Sequence, residues 1–428
     1  MPIIEPFRAL CYAPGLRGEL DHLIAPPYDV IPEDRRALLA SGHLHNIVHI
    51  DLPRDDGSDD IYRSAGRRLE SWIRERVMVR DEHPALYLCD QRFRTPTGEE
   101  STRRGFFARL RLEAFGNGVV LPHEWTLEAP RVDRERLLSA TRYHLSAVFL
   151  LHPDSDGRVS ELVGDALGGE TFAEGRDAEG TISRVVRLET PEVVAAIQEE
   201  LGRNWALIAD GHHRYEASLN YRDSRRAGGH RDAESILAFF CSLADPGLRI
   251  FPIHRLVHSL SRFDPAGFRS RLEPLFDLKP VEGEERLRAS IRDGGDRPGV
   301  FGMLFKGEPG AWVARWREGA GLDRQLMAAV PEPLRRLDVI LLHRLILEEI
   351  LGISGEDQAR GRHLDYVKDD VDFFQRVSDG AAQIGFLMNP TRIEQVIEVT
   401  RQGLRLPQKT TYFHPKVQTG LVLNPLDD

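Results

Sequence analysis

The chain has 428 residues and a net charge of −10, from 57 Lys and Arg against 67 Asp and Glu. With 41% hydrophobic and 29% charged residues, it is predicted to be globular with two or three domains, and a disordered chain or a mini-scaffold is excluded. The acidic balance argues against broad, salt-driven binding of nucleic acid.

The cysteines and the apolar stretches limit the class of protein further. Cys11, Cys89 and Cys241 lie far apart and form no C-x-x-C pair, which predicts three buried thiols rather than a zinc ribbon or disulfide framework. Residues 1–7 lack the pattern of a secretory signal, so we expect a cytoplasmic protein. The apolar stretch 337–353 is interrupted by charged residues, which predicts a core helix and no membrane partner.

The first third of the chain combines strands, a rigid loop and a helix. Residues 7–12 form a strand-like run, and the consecutive prolines within 25–30 predict an extended loop that could carry a site. Apolar residues recur at helical spacing over 61–73. Residues 85–89 and 105–113 are typical of strands that flank a Thr/Gly/Glu-rich loop. A helix followed by a hairpin is the expected order.

The middle of the chain changes its hydrophobic period abruptly. Thr190-Pro191-Glu192 is typical of a helix start, because proline suits the first turn and an acid suits its dipole. Residues 205–209 then form a short apolar run that predicts a buried strand. The Asp210-Gly211 pair is a turn signal, and helical spacing resumes over 215–221. The expected structure is strand, tight turn, helix.

Further strands are predicted at 236–243, 300–305 and 311–316, with 306–310 as a hairpin loop between the last two. Strands and helices do not alternate regularly along the chain, so the fold class predicted is α+β, with mixed sheets and helices. Turn clusters divide the chain into three expected segments: an N-terminal α+β segment 1–155, a middle segment 156–265, and a C-terminal α+β segment 266–428.

The most informative stretch is Asp210-Gly211-His212-His213-Arg214, which places an acid, two imidazoles and a guanidinium on one turn. The N-terminus of a helix stabilises phosphate through free N–H groups and its dipole, and glycine permits a close approach. Arg214 could clamp a phosphate, while His212 or His213 could bond to it or move a proton. The alternative is a capped helix in which these side chains serve only structure.

Two metal sites are conceivable at this turn. His212 or His213 could share a helical face with Glu216 and bind a divalent ion. Zinc sites need three or four defined ligands, whereas Mg²⁺ held mainly by nucleotide phosphates needs only one carboxylate. Mg²⁺ held mainly by nucleotide phosphates is therefore the favoured ion.

A second polar box follows Pro122. His123 and Glu124 are followed by Arg131 and Arg134, a grouping that predicts half of a polar site. In this site Glu124 would accept a proton, and the other three residues would bind substrate. The box departs from the H-E-x-x-H zinc motif, because Thr126 and Leu127 follow the acid. The alternative is that Arg134 simply belongs to the start of a solvated helix.

Residues 407–416 form a third candidate region near the C-terminus. Lys409, Thr410 and Lys416 stand among prolines and aromatic residues. The two lysines could neutralise phosphate charge, with Lys409 at the cofactor and Thr410 and Lys416 at the substrate. An exposed extended tail explains the same residues. The sequence contains no P-loop, Rossmann fingerprint, nucleophile elbow or kinase catalytic motif, so phosphate chemistry would use another scaffold.

Several of these motifs carry a family resemblance. Together they resemble an uncharacterised bacterial and archaeal family, domain-of-unknown-function family 1015, over essentially the whole chain; the residues that carry it are 4–10, 25–31, 122–126, 210–215, 407–416 and 419–420. The D-G-H-H-R turn additionally resembles the signature of the ParB-like and sulfiredoxin-like superfamily, which includes free-serine kinases. That second resemblance covers residues 190–221.

The superfamily resemblance implies a nucleotide-binding core with the phosphates of ATP or ADP at the helix after the motif. When the motif of the superfamily is carried over to this sequence by position, residues Gly211 to Arg214 would hold phosphate. Asp210 would orient these residues or contact Mg²⁺. The serine-kinase members use a catalytic carboxylate near their N-terminal end, for which Asp29 is the best counterpart here. His212 and His213 would take part in catalysis.

We therefore expect a small-molecule kinase or phosphatase: a phosphotransferase between a nucleotide or phosphate and a small hydroxylated metabolite such as serine or phosphoserine. Asp29 or Glu124 would accept the hydroxyl proton. One alternative is a nucleotide-sensing ParB-like regulator without catalysis, and another is a metal-dependent hydrolase that uses His123 with His212 and His213. A homo-oligomer is compatible with all three.

Overall fold

The computed structural model describes residues 1–55, 57, 60–96, 98–319 and 322–426. The chain divides into two compact units: unit 1 comprises Met1–Arg249 and Pro415–Asp428, and unit 2 comprises Ile250–His414. The predicted α+β class is confirmed, because both units combine sheets with helices. Within the described ranges, no helix has the length and apolar character needed to cross a membrane.

Unit 1 contains most of the strands. They are β1 Ile4–Glu5, β2 Leu10–Tyr12, β3 Met78–Arg80, β4 Leu86–Arg94, β5 Glu100–Arg111, β6 Val120–Pro122, β7 Tyr143–His144, β8 Val148–His152, β9 Thr171–Arg176, β10 Ile182–Leu188, β11 Ala206–Asp210 and β12 Ser235–Ser242. Its helices are α1 Leu20–Leu23, α2 Glu33–Gly42, α3 Val48–Asp51, α4 Ile61–Arg74, α5 Glu128–Thr141, α6 Arg158–Ala166, α7 Pro191–Gly202 and α8 His212–Ala227.

A mixed sheet organises unit 1, with strands in the order β6-β11-β8-β12-β5-β4-β10-β9 and β1 beside β5. β11 runs parallel to β6 and antiparallel to β8. Apolar side chains of the sheet pack with α6, α7 and α8 into one core that includes Phe106, Phe240, Ile197 and Tyr215. Burial of each large apolar side chain stabilises the fold by about 1.5–3 kcal/mol.

Several local predictions are confirmed. The strand, tight turn and helix predicted around Asp210 correspond to β11, Gly211 and α8, and α7 begins at Pro191. Cys11, Cys89 and Cys241 are buried free thiols. These features follow from signals within a few residues of one another, which is why the sequence reveals them.

Unit 2 has its own sheet, ordered β15-β17-β16-β19-β14-β18. Its strands are β13 Arg249–Phe251, β14 His254–Val257, β15 Phe276–Val281, β16 Val300–Phe305, β17 Ala311–Trp316, β18 Leu364–Val367, β19 Ile384–Leu387 and β20 Tyr412–His414. Its helices are α9 Pro265–Leu272, α10 Glu284–Arg292, α11 Leu322–Leu326, α12 Asp338–Leu341, α13 Gly355–Ala359, α14 Asp370–Ser378 and α15 Ile393–Arg401. β16 and β17 form the predicted hairpin, and a buried π-helical stretch, Leu342–Ile350, continues α12.

The division into units differs from the three segments expected from the sequence. The expected boundary after residue 155 lies inside unit 1, because β8 and β12 pair in one sheet although they stand on opposite sides of it. The expected boundary after residue 265 lies at the start of α9, inside unit 2. The chain instead leaves unit 1 after Arg249 and returns to it at Pro415.

The returning segment, residues 415–426, is here called the C-terminal strap. Thr419 and Ala25 exchange two backbone hydrogen bonds of 2.8 and 3.1 Å, and Leu423 and Leu10 exchange two of 2.9 Å. Thr419 and Leu423 are fully buried, and a short strand, Asn424–Pro425, pairs with β7. The alternative of an exposed tail concerns residues 407–416, which overlap the strap only at Pro415 and Lys416. It is wrong for these two residues, which are buried and half-buried, whereas Lys409 is exposed.

Two helical glycines of unit 1 provide a test of this packing. A Cβ at Gly66 of α4 would lie 2.5 Å from the carbonyl oxygen of Ala140 in α5, whereas one at Gly164 of α6 would meet nothing within 4 Å. We expect Gly66→Ala to lower the free energy of unfolding by about 1–3 kcal/mol, because the two helices must separate. Gly164→Ala should raise it by up to about 1 kcal/mol. Urea unfolding measures both, and a neutral Gly66→Ala would contradict the close packing.

Candidate functional site

The parallel pairing of β6 with β11 creates the candidate site. Val120 lies opposite Ala206, and Pro122 lies opposite Ile208. Because both strands end at the same edge of the sheet, the segment 123–127 that follows β6 comes to lie beside the turn that follows β11. Ligand sites in α/β sheets commonly lie at such an edge. The structure thus brings together two boxes that are almost ninety residues apart, as the 89 positions between His123 and His212 show.

The turn after β11 requires its glycine. Gly211 has a φ of +96°, in the left-handed region, and α8 begins at the next residue. A Cβ at Gly211 would also lie 3.0 Å from the guanidinium of Arg214. Glycine therefore permits both the sharp entry into α8 and the close approach of Arg214. The first N–H groups of α8 point out of the helix at this turn, as in every helix.

Both histidines of the turn attach the neighbouring loop to α8. Nε2 of His212 accepts hydrogen bonds from the backbone N–H groups of His123 at 3.1 Å and Glu124 at 3.3 Å. Nε2 of His213 accepts from the N–H of Leu127 at 2.8 Å. An imidazole nitrogen that accepts carries no proton, so both rings are neutral with the proton on Nδ1. His212 and His213 thus position the loop, and their Nε2 atoms are engaged by protein groups.

His123 is a buried neutral histidine of the same cluster. Its side chain is 1% exposed, and its ring packs edge-on against His212 with centroids 4.5 Å apart. Nδ1 lies 2.6 Å from the carbonyl oxygen of Ile208 and therefore donates to it. Burial lowers the pKa of His123 to about 4. Its other nitrogen, Nε2, lies 3.9 Å from a carboxylate oxygen of Glu124, which is half-buried.

Asp210 is the negatively charged residue at the centre of the site, and two cations pair with it. Lys416 of the strap donates from Nζ to Oδ1 at 2.5 Å, and Arg214 donates to Oδ2 at 2.7 Å. Burial alone would raise the pKa of Asp210, but the charges of Lys416 and Arg214 hold it well below its ordinary value. Asp210 is therefore ionised, and each of its oxygens accepts a hydrogen bond from a cation.

This arrangement does not fit direct coordination of a metal by Asp210, which the sequence predicts. Both oxygens face cations, and a metal ion would have to displace one of them. The histidine alternative fits no better, because Nε2 of each ring accepts from backbone and Glu216 accepts from the hydroxyl of Thr126. Across the described residues, no group of three His, Cys, Asp or Glu side chains could hold a metal ion.

Lys416 is singular in composition as well as in position. The sequence contains five lysines, and the other four, Lys279, Lys306, Lys368 and Lys409, belong to unit 2. Unit 1 uses arginine for every other basic side chain of the Lys/Arg type. Lysine offers a compact charge on a flexible stem, whereas arginine offers a rigid fork. The site thus contains the single lysine of unit 1, and the flexible stem of this residue permits its ammonium group to change partners.

Arg214 points into the protein rather than to solvent. It is 8% exposed, and besides Asp210 it donates to the carbonyl oxygen of Ala147. The guanidinium group of Arg214, which the sequence analysis assigns to phosphate binding, therefore forms its hydrogen bonds inside unit 1. Its Nε is buried and has no hydrogen-bond partner.

Arg134 belongs to a second buried ion pair. It donates to the backbone oxygen of Asp51 at 2.8 Å and to its carboxylate at 3.1 Å, and its guanidinium lies 3.9 Å from the ring centre of Tyr28. Asp133 accepts from Arg134 at 2.7 Å and from the hydroxyl of Tyr62 at 2.9 Å. The alternative of a solvated helix start is wrong, because α5 begins at Glu128 and Arg134 is buried.

Asp29 is exposed in a 3₁₀ turn, Tyr28–Val30, beside this ion pair. Burial raises the pKa of both Tyr28 and Asp51, and the charge of Asp29 raises them further. Asp29 therefore lies within electrostatic range of both groups. Arg131 is half-buried on α5, with its guanidinium 3.9 Å from Glu135.

A cavity of about 40 Å³ lies between the two ion pairs, with Asp51, Arg134, His144, Arg214 and Ser218 among its lining residues. Oδ2 of Asp51 and Nε of Arg214 are both buried without a hydrogen-bond partner. The volume suits about one or two water molecules, which these groups could bind. It is too small for a nucleotide, so such a ligand would bind on the open side of the turn.

Lys409 and Thr410 belong to unit 2, whereas the other candidate site residues belong to unit 1. The backbone oxygen of Lys409 accepts from Arg255 at 3.0 Å. Thr410 is buried, and its hydroxyl donates to the backbone oxygen of Pro407 at 2.5 Å. The structure therefore assigns both residues to local packing contacts.

Comparisons with known proteins give a family without an assigned activity. The family described as "Protein of unknown function (DUF1015)" matches residues 4–340. No curated protein matches the chain.

Solved structures give only distant likenesses. A free serine kinase in complex with AMP is 14% identical, with a TM-score of 0.33 over 72% of this chain and 86% of that chain. A conserved hypothetical protein from Pyrococcus furiosus is 14% identical, with a TM-score of 0.33 over 73% and 92%. SbnI with C-terminal truncation from Staphylococcus aureus is 9% identical, with a TM-score of 0.36 over 72% and 84%. At these TM-scores the likenesses carry no argument, and function rests on the site itself.

The buried His123 predicts a pH dependence of stability. Its pKa is about 4 in the folded protein and about 6.5 when unfolded, so the unfolded state binds the proton first as pH falls. The stability from a neutral His123 is present above about pH 6.5 and is lost between about 6.5 and 4. His123→Asn should reduce the slope of unfolding free energy in that window by up to about 1.4 kcal/mol per pH unit.

Urea unfolding at several pH values measures this slope. The matched control is His83→Asn, since His83 is exposed. It should leave the slope unchanged. Equal slopes for His123→Asn and the wild type would show that His123 does not stay neutral in the folded protein.

Proposed function

Because the chain belongs to the DUF1015 family, whose members have no assigned activity, we propose its function from the site: it is a kinase-like phosphotransferase. It moves a phosphate group between a nucleotide, ATP or ADP, and a small hydroxylated metabolite. The observation that carries the proposal is the pairing of Asp210 with Lys416 at the glycine turn before α8. A cation, a helix N-terminus and a glycine turn that permits close approach together suit a phosphate group.

The nucleotide phosphates would be held mainly by backbone. The first N–H groups of α8, at His212 and His213, supply donors and the positive end of the helix dipole. Nζ of Lys416 pairs with Asp210, which directly precedes Gly211, and its flexible stem would let it turn from Asp210 to a phosphate oxygen. Arg214 supports this from inside, because it keeps Asp210 ionised and paired when Lys416 turns away.

The reaction itself requires little covalent chemistry from the protein. The hydroxyl oxygen of the metabolite forms a bond to phosphorus, the bond between phosphorus and the nucleotide oxygen breaks, and the hydroxyl proton passes to a carboxylate. Asp29 and Glu124 are the two candidates for that carboxylate. Asp29 is exposed beside Arg134, and Glu124 lies on the loop that His212 attaches to α8.

The remaining details follow the resemblance seen in the sequence. Serine or phosphoserine is the proposed metabolite, and the cytoplasm is the proposed location. Any Mg²⁺ would be bound mainly by phosphate oxygens of the nucleotide, because both oxygens of Asp210 face cations. Arg131 would contribute positive charge towards the metabolite, whereas the charge of Arg134 is compensated by Asp51 and Asp133 inside the fold.

Removal of the ammonium group tests the phosphate site. We expect Lys416→Met to weaken binding of ADP by about 1.5–3 kcal/mol, the usual scale of a charge-assisted hydrogen bond, which is about 10- to 150-fold in Kd. Isothermal titration with ATP and ADP, each with and without Mg²⁺, measures the affinity. The control is Lys279→Met, because Lys279 is an exposed residue of β15. Equal affinities for the two variants would contradict the role of Lys416.

Two neutral variants distinguish the candidate proton acceptors. Asp29→Asn or Glu124→Gln should lower the rate of phosphate transfer by about 100-fold or more while nucleotide affinity changes little, since the acceptor acts on the metabolite. Transfer of labelled phosphate from ATP to a panel of hydroxylated metabolites that includes serine provides the measurement. Asp34→Asn on the exposed face of α2 is the control. Full activity in both variants would exclude these carboxylates, and nucleotide binding without any transfer would favour a regulator.

A further inference from the structure

A row of three polar residues crosses the interior of the sheet in unit 1. Arg103 on β5 lies opposite Gln91 on β4, and Gln91 lies opposite Ser183 on β10. All three are fully buried, at 0% exposure. Burial of polar groups in a sheet is unfavourable unless hydrogen bonds satisfy them, and burial of a cation is more so. The row therefore has a cost to stability that apolar residues would avoid.

The hydrogen bonds of the row fix the orientation of the Gln91 amide. Arg103 donates from Nε to Oε1 of Gln91 at 3.1 Å and also donates from its second terminal nitrogen. Because arginine can only donate, the amide oxygen must face it. The amide nitrogen then donates to the hydroxyl of Ser183 at 3.2 Å and to the backbone oxygen of Lys416 at 3.1 Å.

Arg103 has no carboxylate among the hydrogen-bond partners that the structure gives it. Its guanidinium instead lies over the rings of Phe149 and Phe239, at 4.3 and 5.4 Å from their centres. Burial lowers the pKa of Arg103 to about 10, which still leaves it charged at neutral pH. Two donors of this buried cation, Nε and one terminal nitrogen, bond to the same amide oxygen and prevent the amide from flipping, while the other terminal nitrogen has no hydrogen-bond partner. The amide in turn contacts a single residue outside the sheet, Lys416, by its backbone.

We propose that Gln91 and Arg103 are positioning residues for Lys416. Gln91 holds the backbone of the strap where the stem of Lys416 reaches Asp210, and Arg103 keeps the Gln91 amide in the required orientation. The consequence for binding rests on the function proposed above. The geometric link between the row and Lys416 does not depend on that function, so the two can be tested separately.

The geometric link is tested by the chemical reactivity of Lys416. Gln91→Glu keeps the shape of the side chain and pairs with Arg103, but its carboxylate cannot donate to the backbone oxygen of Lys416. We expect Lys416 in this variant to react with trace acetic anhydride about threefold faster or more, because loss of one neutral hydrogen bond has an effect of this size. The folded protein is labelled first, and mass spectrometry of its peptides after digestion measures the acetylation of each lysine. The other four lysines serve as internal references.

A matched variant separates position from general destabilisation. Gln198→Glu makes the same change on α7, where the Gln198 amide donates to the backbone oxygen of Ile4 at 2.8 Å. It should leave the reactivity of Lys416 unchanged. Gln91→Asn, which keeps an amide but is too short to bridge Arg103 and Lys416, provides a second test should Gln91→Glu fail to fold. Unchanged reactivity of Lys416 in a folded Gln91 variant would overturn the proposal.

The functional consequence is tested by a double-mutant cycle with ADP as the probe. Gln91→Glu alone should weaken ADP binding about threefold to tenfold. When it is added to the Lys416→Met variant it should have no further effect, because the row acts through Lys416. Additive effects of the two substitutions would overturn the positioning role. If the wild-type protein itself does not bind ADP, the proposed function fails. The reactivity of Lys416 then still tests the positioning role of Gln91 and Arg103.

Discussion

The ion pair between Lys416 and Asp210 is the interaction on which the candidate site depends. Asp210 ends a strand in the interior of unit 1, where a lone carboxylate would be strongly disfavoured by the loss of water. Two cations compensate for that loss: Arg214, one turn along α8, and Lys416, 206 residues along the chain. The requirement for charge compensation thus brings the C-terminal strap to the place where the glycine turn opens α8.

The hydrogen bonds of the turn show which of its side chains are engaged within the protein. Nε2 of His212 and of His213 accept backbone hydrogen bonds of the loop after β6, and Arg214 is engaged inside the fold. The side chains that the sequence suggests for phosphate therefore build the turn rather than face solvent. In the proposed function, phosphate is therefore assigned to the backbone at the start of α8 and to the ammonium group of Lys416, not to these side chains. Backbone donors dominate in known anion sites at helix N-termini, which is the arrangement proposed for this turn.

Local sequence signals reveal the framework of the site, and distant pairings do not appear in them. An apolar run, an Asp-Gly pair and renewed helical spacing suffice for β11, Gly211 and α8. The parallel pairing of β6 with β11 has no local signal, so the sequence presents its two boxes as separate half-sites. Burial of Arg134 could not be foreseen, because its partner Asp51 lies 83 residues away in an unremarkable segment. The strap resembles a tail in sequence, since its contacts with Ala25 and Leu10 lie at the other end of the chain.

The position of a bound nucleotide tests the central claim most directly. A crystal structure of the protein soaked with ADP should show a phosphate group at the backbone N–H groups of His212 and His213, with Nζ of Lys416 within hydrogen-bond distance of a phosphate oxygen. Density for ADP at another place, with Lys416 still paired to Asp210, would contradict the account.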